Sequence, residues 1–189
     1  MASPAVFINY RTGDGEHLAE LVYDRLSAAF GPGQVFLDHR SIAPAANYPR
    51  ALRDGLRGCA VLLALIGPHW LRLQRERAVA GTPDWTNWEI AEALTRAIPV
   101  LPVLREGTAW PAPADLPGEV ADLALCQYRG YDPRRSDQDL EQIVRAVRQL
   151  VPQLRAQHRE PPPASKYHIT VGRDSHIYEG PVHYVRERD

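Results

Sequence analysis

The run Ala60-Val-Leu-Leu-Ala-Leu-Ile66 is apolar at both parities of a strand. Such a strand needs cover on both faces, which a sheet with one wet face does not give. Around it, short apolar runs alternate with stretches of helical spacing. Strands are predicted over Ala5–Tyr10 and Val35–Leu37, each followed by a helix, over Glu16–Phe30 and Tyr48–Leu56. The pattern goes on with a helix near Thr86–Arg96, a strand over Pro99–Leu104, a weak strand around Leu123–Tyr128, and a helix from Asp137 to about Arg155. Alternation of this kind implies α/β architecture, a doubly wound parallel sheet of about five strands with helices on both sides. Glu106–Pro117, crowded with Pro, Gly and Ala, is expected to be a connection holding at most a short helix.

With 189 residues, the chain has room for one well-buried core and an appendage. The expected division is a domain over 1–157, a proline-rich linker over 158–166 around Pro161-Pro-Pro163, and a β tail over 167–189. In the tail, Tyr167-His-Ile-Thr-Val171 alternates and Gly172-Arg-Asp-Ser175 supplies a turn, so a β-hairpin is expected. An isolated hairpin is marginal in water, which makes the tail a docking element for the main sheet, another copy or a protein partner.

The hydrophobic fraction of 44% and charged fraction of 24% are those of an ordinary globular protein. A formal net charge of −1 leaves no excess positive field, so nucleic acid is not an expected partner. No apolar run approaches the roughly 20 residues that span a bilayer, and no basic segment precedes an apolar stretch at the start; no membrane partner is expected, and a cytoplasmic location is. Cys59 and Cys126 lie in or beside apolar runs without metal-ligand spacing and are expected to be buried, reduced thiols. His168, His176 and His183 have no spacing that specifies a metal, and no metal site is expected.

Gly13-Asp-Gly15 stands where a phosphate loop would, but lacks the third glycine of a dinucleotide fingerprint. The phosphate-loop NTPase, serine hydrolase and zinc protease motifs are likewise missing. A phosphoacceptor domain would need an acidic pair after the first strand and an aspartate ending the third; this chain has Asn9-Tyr10 and Gly67-Pro68 there.

Ligand crevices of open α/β sheets lie beyond the carboxyl ends of the strands. Here those ends carry Tyr10-Arg11-Thr12, Asp38 and Gly67-Pro-His-Trp70, and the next helix is entered through Asp84-Trp-Thr-Asn-Trp-Glu89. At about 100° per residue, Ile90, Ala93, Leu94 and Ala97 share one face of that helix and Glu89 lies at its border, with Trp85 one turn earlier. An aromatic plate beside a carboxylate suits a cationic aromatic nucleotide and a positive charge developing at an anomeric carbon. A second account stands beside it. Thr86-x-x-Glu89 is also a capping-box pattern, and a glutamate in a first turn complements the helix dipole. For Trp85 and Trp88 the alternative is core or interface packing, and Trp88 is expected to pack. Asp38 has the alternative of satisfying loop amides, and Arg11 that of a solvated charge.

Val6-Phe-Ile-Asn-Tyr-Arg11 resembles the first strand of TIR domains, with Asn9 where the family commonly has Ser. Val35-Phe-Leu-Asp38 with Ile42 resembles the second strand and BB loop, Leu62–Trp70 the third strand and its turn, and Ile98-Pro-Val-Leu-Pro-Val103 the fourth strand. Asp84-Trp-x-x-x-Glu89 resembles the segment carrying the glutamate of TIR NADases, and the likeness runs from about Pro4 to about Leu154. One departure is that Ile42-Ala-Pro-Ala-Ala-Asn47 lacks the usual BB-loop glycine. The resemblance implies a flavodoxin-like five-stranded sheet and, for the bacterial NAD-consuming branch, cleavage of NAD+ to nicotinamide and ADP-ribose or a cyclic isomer of it. NAD+ would be a substrate, with no cofactor required. By the same resemblance Glu89 is catalytic, Trp85 contacts the nucleotide, and Arg11, Asp38 and Tyr48 border the pocket. The enzyme would become active as a homo-oligomer through TIR–TIR contacts, in bacterial defence or signalling. The competing expectation is a non-enzymatic TIR adaptor that uses the same surfaces for homotypic binding.

Overall fold

The structure, a computed structural model, describes residues 4–41 and 47–157. The expected linker 158–166, the β tail 167–189 and most of the BB loop lie outside the described residues. In chain order the main elements are β1 (Val6–Asn9), α1 (Glu16–Phe30), β2 (Val35–Phe36), α2 (Asp38–Ser41), α3 (Tyr48–Gly58), β3 (Val61–Ile66), α4 (Trp70–Ala80), α5 (Trp85–Thr95), β4 (Val100–Arg105), β5 (Arg129–Tyr131) and α6 (Ser136–Leu150). The strands form one five-stranded sheet in the order β2-β1-β3-β4-β5. All pairs are parallel, with Val6 opposite Val61, Leu62 opposite Val100 and Val103 opposite Arg129. This is the flavodoxin-type order, in which the winding reverses between β1 and β3.

β3 is buried at all six positions, as its unbroken apolar run requires. Its odd residues Val61, Leu63 and Leu65 face a core layer built with α1 and α6. Its even residues Leu62, Ala64 and Ile66 face a second layer with Leu52 and Leu56 of α3, Trp70 of α4, and Ile90 and Ala93 of α5. The same period of two sends Val6 and Ile8 of β1 to the first layer and Phe7 to the second. Asn9 therefore ends β1 on the side where α5 lies. Close approach in this second layer relies on Gly55, where an added Cβ would lie 2.7 Å from the Phe36 ring.

Three expectations need correction. The weak strand at Leu123–Tyr128 is instead β5, at Arg129–Tyr131, and Gly118–Leu125 is a 3-10 helix. Val120 and Leu123, three residues apart, bury one side of that helix, which three residues per turn permits. In β5 only Tyr131 is buried, so the strand has no apolar alternation to announce it. The last helix stops at Leu150, because Pro152 cannot donate the next helical hydrogen bond; the chain goes on as 3-10 turns over Pro152–Gln157. Third, α4 was not expected as a helix at all. Its buried residues are Trp70 and Gln74, so its inward face carries no apolar stripe. Cys59 is buried as expected, whereas Cys126 is only half-buried; both are free thiols. Among the described residues no helix is long and apolar enough to cross a membrane.

Candidate functional site

The site forms where β1 ends against the first turn of α5. Asn9 is 1% exposed and Glu89 is 7% exposed. Asn9 Nδ2 donates to Glu89 Oε2 at 2.7 Å and to the Thr86 carbonyl at 3.0 Å. The Thr86 carbonyl can only accept, which fixes the amide with its nitrogen toward Glu89. Thr86 Oγ1 in turn donates to the Tyr10 carbonyl at 3.2 Å. Glu89 is thus a buried carboxyl held from the sheet. Burial pushes it up to about 8; the Asn9 bond works against that rise, and the charges of Asp38 and Asp84 add to it.

The capping-box account of Glu89 does not hold. α5 begins at Trp85 with Asp84 as its N-cap, Asp84 Oδ1 accepting from the Asn87 N–H at 3.1 Å. Thr86 already stands inside the helix, and its hydroxyl is turned to β1.

Arg11 is fully buried and does not line the cavity beside Glu89, nor is it a solvated surface charge. Its Nη1 donates to both oxygens of Asp84 at 3.0 and 2.9 Å, and its Nη2 to Asn87 Oδ1 at 3.1 Å. The guanidinium lies 4.9 Å from the centre of the Trp70 ring. Burial holds Arg11 below the ordinary guanidinium range, opposed by its bond and charge pairing with Asp84. Arg11 therefore secures the start of α5 from behind the site.

Glu89 opens onto a cavity of about 100 Å³. β1 and the residues after it contribute Phe7, Ile8, Tyr10 and Thr12 to its lining; Asp38, Leu52 of α3, Arg77 of α4, and Trp85 and Thr86 of α5 complete it. The structure thus brings together Glu89, Trp85 and Asp38. Tyr10 Oη donates to Asp38 Oδ1 at 3.1 Å, which ties the end of β2 to the loop after β1. Trp88 packs edge-on against Trp85, ring centres 5.9 Å apart, and lies 5.6 Å from the Arg53 guanidinium, in line with its expected packing role. Tyr48 opens α3, and its side chain lies outside the described residues.

Several residues of the site were missed by sequence reasoning. Asn9 was noticed only as a departure from Ser; its strand parity, on the α5 side, was the available signal. Arg77 belongs to the helix that was not foreseen. Asp14, passed over within the incomplete glycine motif, accepts from the Gly67 N–H at 2.9 Å and the His69 N–H at 2.8 Å. An added Cβ on Gly67 would lie 2.6 Å from the Asp14 oxygens, so glycine permits this link between the loops after β1 and β3.

The family model described as TIR domain matches residues 6–144. No curated protein matches the sequence. Among solved structures, the TIR domains of the activated Roq1 resistosome directly recognizing the pathogen effector XopQ align with a TM-score of 0.58 at 11% identity, covering 77% of this chain and 99% of theirs. A diflavin flavoprotein A3 from Nostoc sp. aligns at a TM-score of 0.42 and 14% identity, covering 84% of this chain and 100% of its own. The Roq1 match bears on the fold alone. With the family model spanning the sheet from β1 into α6, the chain belongs to the TIR domain family.

Proposed function

We propose that this TIR domain is an NAD+ nucleosidase that becomes active on self-assembly, with Glu89 as its catalytic carboxylate. The observation that carries this reading is Glu89 itself: a buried carboxyl, anchored by Asn9, opening onto a cavity walled by Trp85 at the carboxyl edge of the sheet. A charge placed in so poorly solvated a position is costly unless a cation arrives to meet it. The nicotinamide ring of NAD+ brings one, and Trp85 offers it a π face.

Cleavage breaks the bond between the ribose anomeric carbon and the ring nitrogen. The bonding pair leaves with nicotinamide and neutralises its ring, and the positive charge passes to the anomeric carbon beside the Glu89 carboxylate. Addition of water, with loss of a proton, gives ADP-ribose; addition of an adenine nitrogen gives a cyclic isomer. Asp38, which lines the same cavity, would accept from ribose hydroxyls. Arg11 acts through α5, as a positioning residue.

The test is to incubate the concentrated full chain with NAD+ and separate the products by chromatography. Nicotinamide is expected from the wild type. Glu89→Ala and Glu89→Gln are expected to lose about a hundredfold or more of the turnover, with an unchanged far-ultraviolet circular dichroism spectrum. Unchanged turnover in both variants would remove Glu89 from the mechanism. A wild type that releases no nicotinamide even when assembled would leave the adaptor as the function.

A further inference from the structure

We infer that Arg77 is a phosphate-binding residue of the Glu89 cavity, taking the phosphate on the 5′ carbon of the ribose whose anomeric carbon faces Glu89. This rests on the reading of the cavity as a nucleotide site and adds to it a residue and a ligand class, the 5′-phosphorylated nicotinamide ribosides.

On α4, Trp70, Gln74 and Arg77 follow one another at the spacing of a single helix face. Trp70 and Gln74 are buried against the domain, and Arg77 continues their face as a half-buried side chain that reaches the cavity wall. The neighbouring arginines of α4 point elsewhere: Arg72 pairs with Glu76, and Arg75 with Asp115. Arg77 has no carboxylate partner among the described residues. Its charge also presses on the buried Arg11, whose own compensation by Asp84 is already spent on both oxygens. A half-buried cation of this kind, without a carboxylate partner among the described residues and repelled by a second cation, is costly to hold. An anion bound at the wall would offset that cost. Trp85 and Glu89, which line the same cavity, suit the cationic end of the ligand. The exposed Thr12, which also lines the cavity, carries a hydroxyl that is a further donor for phosphate oxygens. Cationic ring, ribose and phosphate occur in that order in NAD+ and in nicotinamide mononucleotide.

The experiment compares Arg77→Gln with Arg72→Gln, which removes the same charge from an outward position of the same helix, in the concentrated full chain. Binding of ADP-ribose and nicotinamide mononucleotide is measured by titration calorimetry, with nicotinamide riboside as the ligand without phosphate. Arg77→Gln is expected to weaken both phosphate ligands about tenfold or more while leaving nicotinamide riboside within about twofold; Arg72→Gln is expected to change neither. Arg77→Lys should recover part of the loss, because it restores the charge without the guanidinium fork. Equal weakening of all three ligands, no weakening of any, or a wild type that binds no ADP-ribose would overturn the proposal. The two readings fail separately. Arg77-dependent ADP-ribose binding in a chain that cleaves no NAD+ would keep the phosphate residue and remove the enzyme. Cleavage with an unchanged KM for NAD+ in Arg77→Gln would do the reverse.

Discussion

Glu89 draws its chemistry from a conflict between two neighbours: apolar burial that disfavours its charge and the Asn9 amide that favours it, with burial the larger effect. Its folded pKa of about 8 stands above the ordinary value of 4.5, so between those two pH values the folded chain holds a proton that the unfolded chain has released. Stability must then fall with rising pH across that window, because the folded state binds more protons there. Glu89→Gln removes the titration and can keep the Asn9 bond through its amide oxygen. Its melting temperature relative to wild type is expected to rise from about pH 4.5 and level off above about pH 8, measured by calorimetry; a difference independent of pH would mean that Glu89 is not held neutral. Catalysis needs the ionised form, so kcat/KM for NAD+ should increase with pH through about 8. Asn9→Ser shortens the side chain and loses the bond to Glu89, which should move that profile to higher pH. Sequence periodicity could place Glu89 on a face of its own helix, next to Trp85. It could not show that β1 ends with an amide aimed at the carboxyl, since that contact joins residues 80 positions apart.

At the scale of elements, the site depends on how the start of α5 is fixed to the end of β1. Asn9, Arg11 and the Tyr10 carbonyl all bond to the segment Asp84–Glu89, which ties the start of α5 to the end of β1 and the residues just after it. Asp84→Asn tests this. The amide can still cap the helix, but it leaves the fully buried Arg11 without its counter-charge. Removing one partner of a buried pair is strongly destabilising, about 3 kcal/mol or more, far above the few tenths of an N-cap exchange between Asp and Asn. A loss below about 1 kcal/mol in urea denaturation would make Asp84 a cap and little else. The elements that sequence periodicity identified are those that bury apolar faces: β1, β2, β3, β4, α1, α3, α5 and most of α6. α4 escaped because Trp70 and Gln74, not an apolar stripe, make its inward face, and β5 because three residues with one buried side chain carry no alternation. The Thr86-x-x-Glu89 spacing misled because the same residue types that cap helices also bond across to a neighbouring strand, and local spacing does not distinguish the two.

At the scale of the whole molecule, the cavity beside Glu89 is smaller than its proposed ligand. Sites that enclose a ligand of drug size run to roughly 300–1,000 Å³, whereas this one has about 100 Å³. A cavity of that size encloses only part of NAD+, and the remainder of the dinucleotide would lie outside it. Something else must cover that remainder if water is to be kept from the reacting carbon, and we propose that a second copy of the chain does so. Where monomer predominates, a site completed by two copies forms in proportion to the square of protein concentration, so specific activity should climb with concentration and level off once assembly saturates. Light scattering on the same samples should show the larger species appearing over the same range. A macromolecular crowder should move both curves to lower concentration together, modestly, since excluded volume acts weakly. Constant specific activity over a hundredfold dilution with only monomer present would mean that one chain completes the site alone.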